Sequence, residues 1–306
     1  MKRLFAMLLT LSSLMLLVSC TGREGPEVQS TPVSADIQTP TLEDQHPTVR
    51  EPEEKTDETS DHQTPSPTPE YFELVKNADG YGIRQCAGVT LPEHLEIPGV
   101  YKGCQVTSIE SNGFSDATNV VSVELPDSIR SIGESAFSPN MKKLICSGDL
   151  KLPKDLAGQL TSLVVTSGEF VDPAAHLSNL EELEIGSGVL EIGTMAFLSA
   201  AKLKTVIIRN GVTRIGAYAF SQCESLKSVT LPDSMLTIGI GAFEGCTSLQ
   251  SLHIGKNVSE IGSGAFAGCE FLAGNITVAS GNRSFSVKDG VLYTSQGKDL
   301  TDELFG

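Results

Sequence analysis

The chain repeats itself every 23 residues. The phenylalanines of an Ile-Gly-x-x-Ala-Phe signature fall at Phe197, Phe220, Phe243 and Phe266. Aligned on them, a first column reads Leu180, Leu203, Leu226 and Leu249. A second reads Leu183, Val206, Val229 and Leu252, and a third Ile185, Ile208, Leu231 and Ile254. Apolar character is also kept at Val189, Val212, Met235 and Val258, at Ile192, Ile215, Ile238 and Ile261, and at Ala196, Ala219, Ala242 and Ala265. Upstream, Val120, Val123, Leu125, Ile129, Ile132, Ala136 and Phe137 form another copy, and Val106, Ile109 and Phe114 end a divergent one. Between Phe137 and Phe197 the spacing shortens, yet Met141, Leu144 and Cys146, then Leu160, Leu163 and Val165, keep the strand pattern.

A fixed period of this length with an L-x-x-L-x-L core specifies a leucine-rich repeat solenoid. Each coil supplies a short strand of a parallel β-sheet from the leucine part, and a turn or short helix on the other face from the Ile-Gly-x-x-Ala-Phe part. The pattern gives about eight coils, mostly of 23 residues, between residues 97 and 271. A single coil cannot bury enough surface to fold alone, so stability must come from the faces between neighbours. At roughly 4.8 Å per strand, eight coils present a strand face of roughly 40 Å.

The residues before the array are organised differently. Residues 1–19 read as an export signal, with Lys2 and Arg3 ahead of an apolar run from Leu4 to Val18 that is short for a bilayer span. Leu17-Val18-Ser19-Cys20 resembles a bacterial lipoprotein signal, which implies cleavage before Cys20 and a lipid on that cysteine. Thr21, rather than Asp, after the cysteine resembles the outer-membrane sorting pattern of two-membrane cells. From Cys20 to residue 70 the chain is rich in Pro, Thr, Glu and Asp, as in Thr64-Pro65-Ser66-Pro67-Thr68-Pro69. Such a composition cannot order itself and reads as a tether with a reach of roughly 40 Å or more, or as a disordered binding segment.

The formal charge is −16, and residues 21–70 hold 12 acids against 3 bases. An acidic chain without a basic stripe is a poor candidate for nucleic acid, and leaves the N-terminal lipid as its membrane contact.

Both ends of the array read as caps. In residues 71–96, Tyr71 to Val75 and Asn77 to Ile83 form a hairpin pattern around a Gly turn. In residues 272–306, Asp289-Gly290 is a turn between strand-like Phe285-Ser286-Val287 and Val291-Leu292-Tyr293.

The unit running from Leu226 to Ser248, L-x-S-V-x-L-P-D-S-x-x-x-I-G-x-x-A-F-x-x-C-x-S, resembles the BspA-like, type 5 leucine-rich repeat family of bacterial surface proteins. The Ile97-Pro98 to Ile109 segment and the F-x-V-x-D-G-V-L-Y segment resemble that family's flanking elements, and the likeness covers about residues 71–295. The resemblance implies a cell-surface protein, with some members acting as adhesins for host matrix proteins or other microbes. It implies no cofactor and no catalytic residue.

Other apparent motifs weaken against the period. Cys223, Cys246 and Cys269 recur in one column, but Ala117, Asn140 and Ala200 are assigned to the same column, so the position asks for a small packed side chain. Cys86 and Cys104 are a candidate disulfide in an oxidising compartment, and Cys146 takes a core position. Gly239-Ile240-Gly241 and Gly262-Ser263-Gly264 read as turn glycines rather than a phosphate loop. His94, His176 and His253 are scattered, and no nucleophile or metal-ligand spacing is present. The chain does not read as an enzyme.

The residue between the two inward strand positions of each coil must point to solvent. That column reads Glu124, Ile145, Val164, Glu184, Ile207, Thr230 and His253. Ile145 and Val164 lie on the two shortened coils, as a partner site or through strand propensity alone. The sequence thus points to a lipid-anchored, surface-exposed solenoid that binds a protein or glycan of a host or neighbouring cell along this face. A passive envelope spacer or assembly unit is the alternative.

Overall fold

The computed structural model describes residues 70–170, 177–272 and 274–306. The export signal, Cys20, the tether up to residue 69 and His176 lie outside the described residues. Those that are described form a parallel β-solenoid of about eight turns with little helix.

The leucine segments make the first ladder. Its rungs are His94–Glu96, Ser122–Glu124, Lys143–Cys146, Ser162–Phe170, Glu182–Ile192, Thr205–Ile208 and Ser228–Thr230, each parallel to the next. A bridge from Ser228 to Ser251 carries it to Leu252–Ile254, which pairs with Ile276–Val278. Alternation does the sorting, because successive side chains of a strand point to opposite faces. Leu183 and Ile185 are buried while Glu184 between them is half-exposed, and the same pattern holds for Val206, Ile207 and Ile208.

The Ile-Gly-x-x-Ala-Phe segment turns after its glycine, as the sequence predicts, while the isoleucine before it ends a short strand that makes a second parallel ladder. Arg214–Ile215, Thr237–Ile238 and Glu260–Ile261 follow the end of Glu182–Ile192 in register. Its glycine has a steric cause. A Cβ on Gly262 would stand 2.4 Å from the Ile240 amide nitrogen, and one on Gly239 would stand 2.7 Å from that of Ala217. Only a residue without a side chain lets the coils approach this closely. Gly241 and Gly264 are true turn glycines, with φ of 56° and 63°, although Met195 and Tyr218 adopt the same left-handed conformation in their coils.

Between the ladders the phenylalanines stack. Phe197, Phe220 and Phe243 lie 5.4 Å apart with rings nearly parallel, and Phe266 follows at 6.0 Å. Within the array the phenylalanine amide donates to the alanine carbonyl of the next coil at Phe197, at Phe220, which reaches Ala242 at 2.8 Å, and at Phe243, which reaches Ala265 at 2.8 Å.

Both ends of the stack are closed by residues outside the repeat. At the N-terminal end the hairpin Phe72–Asn77 and Gly80–Gln85 adds a strand beside Cys104–Ile109, and Phe72 sets its ring edge-on to Phe114 at 6.2 Å. At the other end the helix Thr301–Phe305 supplies the missing coil. The Leu304 carbonyl accepts the Phe266 amide at 3.0 Å, the Glu303 carbonyl accepts that of Gly264 at 2.7 Å, and Phe305 covers Phe266 at 5.9 Å. The hairpin Phe285–Lys288 and Val291–Thr294 precedes this helix, with the expected Asp289-Gly290 turn at its tip.

Candidate functional site

The first ladder aligns the outward residues of neighbouring coils opposite one another. Glu96 pairs in register with Glu124, Glu124 with Ile145, Ile145 with Val164, Val164 with Glu184, Glu184 with Ile207, and Ile207 with Thr230. His253 continues the line and pairs with Thr277, its Nδ1 lying 2.9 Å from the threonine hydroxyl. All seven residues read from the sequence therefore fall in one column. Glu96 and Thr277 extend it at the two ends. They sit on strands without the full L-x-x-L-x-L spacing, which is why the sequence pattern passed over them.

The column has three chemical zones. His94, Glu96 and Glu124 make its N-terminal end acidic and imidazole-bearing. In the middle, Ile145 and Val164 stand opposite one another on adjacent strands, both half-buried. Their apolar surface stops at Glu184, whose carboxylate is held by Arg209 Nε at 2.8 Å, and resumes at Ile207, which is 40% exposed. Glu184 thus divides the apolar surface of the column. Beside this divide lies a shallow open hollow, lined by Val164, Thr166, Glu184, Gly186, Ser187, Arg209 and Asn210. A Cβ on Gly186 would stand 2.9 Å from the Val165 carbonyl oxygen, so glycine here lets the two strands approach closely. Beyond Ile207 the face is polar, with Thr230, His253 and Thr277 exposed.

Exposed ion pairs link neighbouring coils on both ladders. Lys204 reaches Glu181 at 2.6 Å, and Arg214 reaches Glu191 at 3.5 Å, each across a 23-residue interval. Pairs so exposed add little stability but help fix the surface pattern.

The sequence of this architecture matches the BspA type leucine rich repeat region in six copies, over residues 93–153 and 174–288. The chain belongs to this family. A leucine rich cell surface protein from Faecalibacterium prausnitzii A2-165 is 29% identical, with 76% of this chain and 59% of that one covered at a TM-score of 0.44. The leucine rich repeat protein of T. pallidum is 27% identical, covering 67% of this chain and 90% of that one, with a TM-score of 0.38. A leucine-rich repeat protein from Bacteroides ovatus ATCC 8483 is 25% identical, covering 71% and 56%, with a TM-score of 0.39. This chain spans less than three-fifths of the length of the F. prausnitzii and B. ovatus proteins. No curated protein matches it.

Leucine-rich repeat arrays of this family are typically binding scaffolds, and the cysteines of this BspA type array behave as packing residues. Cys223, Cys246 and Cys269 are buried, and each thiol donates to the phenylalanine carbonyl of the coil before it, at 3.3, 3.2 and 3.1 Å. Burial pushes the Cys146 and Cys223 thiols up to about 12, and the neighbouring Cys269 thiol together with burial raises that of Cys246. A thiol so shifted is a poor nucleophile or ligand at neutral pH. One assignment in the column changes. Asn140 is exposed, and Ser138, only 2% exposed, takes the small buried position, because the coil is shortened just after Phe137. Cys86 and Cys104, the candidate disulfide, are both free thiols.

Proposed function

We propose that the chain is an exported, lipid-anchored cell-surface protein that holds a protein or glycan ligand noncovalently on the first strand face, in the manner of an adhesin. The observation that carries this reading is the registered column with its hollow at Val164, Glu184 and Arg209. There, apolar surface, a carboxylate and a guanidinium stand together on a rigid ladder. A mixed apolar and charged patch on rigid elements is suited to recognition, since little ordering entropy is lost on binding. The F. prausnitzii neighbour is described as a cell surface protein, which agrees with export of this chain. The export signal and Cys20 supply the route and the anchor, with the tether holding the solenoid away from the membrane.

The test is binding of the purified protein to immobilised matrix proteins and glycans, beside Ile207→Glu and an Ile145→Glu/Val164→Glu double variant shown to keep their circular dichroism. Saturable binding that weakens at least tenfold in these variants is expected. A folded parent without any saturable ligand would instead leave a spacer or assembly component. Binding unchanged in the variants would move the site off this face.

A further inference from the structure

We propose that His94, Glu96 and Glu124 form a site for a divalent transition cation of the Zn²⁺ type at the N-terminal end of the strand face. The three residues come from two adjacent rungs. His94 and Glu96 stand two apart on His94–Glu96 and so share its outward face, and the parallel register sets Glu124 directly opposite Glu96 and Ser122 opposite His94. The backbone ladder, rather than a flexible loop, thus brings one imidazole and two carboxylates together. Their donor atoms all lie within 4.8 Å of one another.

The detail of the histidine supports a metal over a direct ion pair. Its Nδ1 lies 2.6 Å from Ser122 Oγ. With that hydroxyl accepting from Nδ1–H, the lone pair of Nε2 is free and the ring is fixed, the usual outer-sphere arrangement for a metal-binding imidazole. Nε2 then faces Glu96 Oε1 at 3.8 Å and Glu124 Oε2 at 3.9 Å. These separations exceed the roughly 2.7–2.9 Å of a charge-assisted hydrogen bond. They come close to the roughly 3–3.5 Å between ligands that share an ion with bonds of about 2.0–2.2 Å, and exposed glutamates close the remaining gap by a small torsion.

The carboxylates also lack another counter-charge. Like charges directly opposite on neighbouring strands repel, and among the described residues no lysine or arginine forms an ion pair with Glu96 or Glu124. One nitrogen and two oxygen donors suit Zn²⁺, Co²⁺ or Mn²⁺ better than Ca²⁺, which seeks six or more oxygens. Three protein ligands leave positions open to water or to a donor on another molecule. The site does not depend on whether the middle of the face binds a ligand.

The experiment is calorimetric titration of the full chain, without a histidine tag, with Zn²⁺, and of the same protein with Co²⁺ followed by visible absorption. His94→Ala and Glu124→Gln should each lose one cation equivalent or bind it at least tenfold more weakly. Ser122→Ala should weaken it several-fold, and His253→Ala should leave it unchanged. Glu124→Gln keeps the side chain's shape, so its result does not hinge on folding of the His94 variant. A parent that binds no Zn²⁺, or His94→Ala and Glu124→Gln variants with the parent's stoichiometry and affinity, overturns the proposal. Ca²⁺ bound equally by the parent and His94→Ala would also overturn it, as a site of carboxylates alone.

Discussion

Truncating Phe220 to alanine tests whether the aromatic stack is what joins the coils. Phe220 is fully buried and lies between Phe197 and Phe243, each 5.4 Å away and inclined by 7°. Removing a buried phenylalanine ring costs about 3–5 kcal/mol in transfer and cavity terms. Two aromatic pairs add about 0.5–1.5 kcal/mol each, so the loss is about 5 kcal/mol. Phe305 is the matched control. Among the described residues it has one ring partner, Phe266, at 5.9 Å and tilted by 40°, and it is only partly buried. Its truncation should cost about 1–2 kcal/mol on the same scale. In urea, with a slope of about 2–3 kcal/mol/M for a domain of this size, Phe220→Ala should lower the unfolding midpoint by about 2 M and Phe305→Ala by less than about 1 M. The assay is equilibrium unfolding followed by circular dichroism. Equal shifts in the two variants, or a Phe220→Ala loss below about 2 kcal/mol, would show that the ladders alone couple the coils and that the stack only fills space.

Gly262→Ala should cost about 1–3 kcal/mol, because its Cβ meets the Ile240 backbone; Gly158→Ala, with nothing within 4 Å and a place in the helix Lys154–Gln159, should be neutral or slightly stabilising. Thermal unfolding of the two variants separates them. The buried thiols make stability fall in alkali. Their folded values of about 12 exceed the ordinary 9.0, so their contribution is complete below pH 9 and is lost as pH rises from 9 towards 12. At pH 10 each costs about 1.4 kcal/mol, one unit of proton linkage, and Cys146→Ala and Cys223→Ala should each lose that much less between pH 7 and 10 in urea titrations. Arg209→Ala should change stability by under about 1 kcal/mol, since the pair with Glu184 is largely exposed, yet should weaken any ligand seated in the hollow, as measured by surface plasmon resonance.

The regular coils were legible because each column repeats one kind of side chain four times over, so the inward positions of Leu183, Val206, Val229 and Leu252 and the outward line from Glu124 to His253 followed from alternation alone. What escaped was set by contacts distant in sequence. Nothing local marks Thr301–Phe305 as a cap, since its role lies in the carbonyls of Glu303 and Leu304 taking the amides of Gly264 and Phe266. The second ladder was hidden because Ile-Gly is too short to register as a strand before its neighbours pair with it. His94 and Glu124 are 30 positions apart and belong to different coils, so only the register places them together; a sequence search for metal spacing within one segment cannot find them.

The two ladders respond differently to the irregular middle of the array, and that difference bears on which face is used. From Val123 to Leu144, Leu163 and Leu183 the intervals are 21, 19 and 20 residues, against 23 from Leu183 to Val206. Through these coils Val123, Leu144, Leu163, Leu183 and Val206 of the first ladder stay in register. Part of the shortfall is taken just beyond these positions, where the register between Ser162–Phe170 and Glu182–Ile192 shifts between Ile185 and Gly188 and again between Val189 and Ile192, and part on the opposite side. There, the Ser131–Ile132 rung pairs with Cys104–Ile109, and the following coil carries the helix Lys154–Gln159 instead of an Ile-Gly strand. The Asp155 carboxylate accepts the Ser135 amide at 2.7 Å across this junction. The inward leucine positions are spared, because a one-residue slip there would exchange the buried and exposed faces of the strand. The face that stays continuous through the irregular coils is also the one that carries the hollow, the ion-paired Glu184 and the His94 cluster. Across those irregular coils a ligand would meet a continuous line of paired residues there.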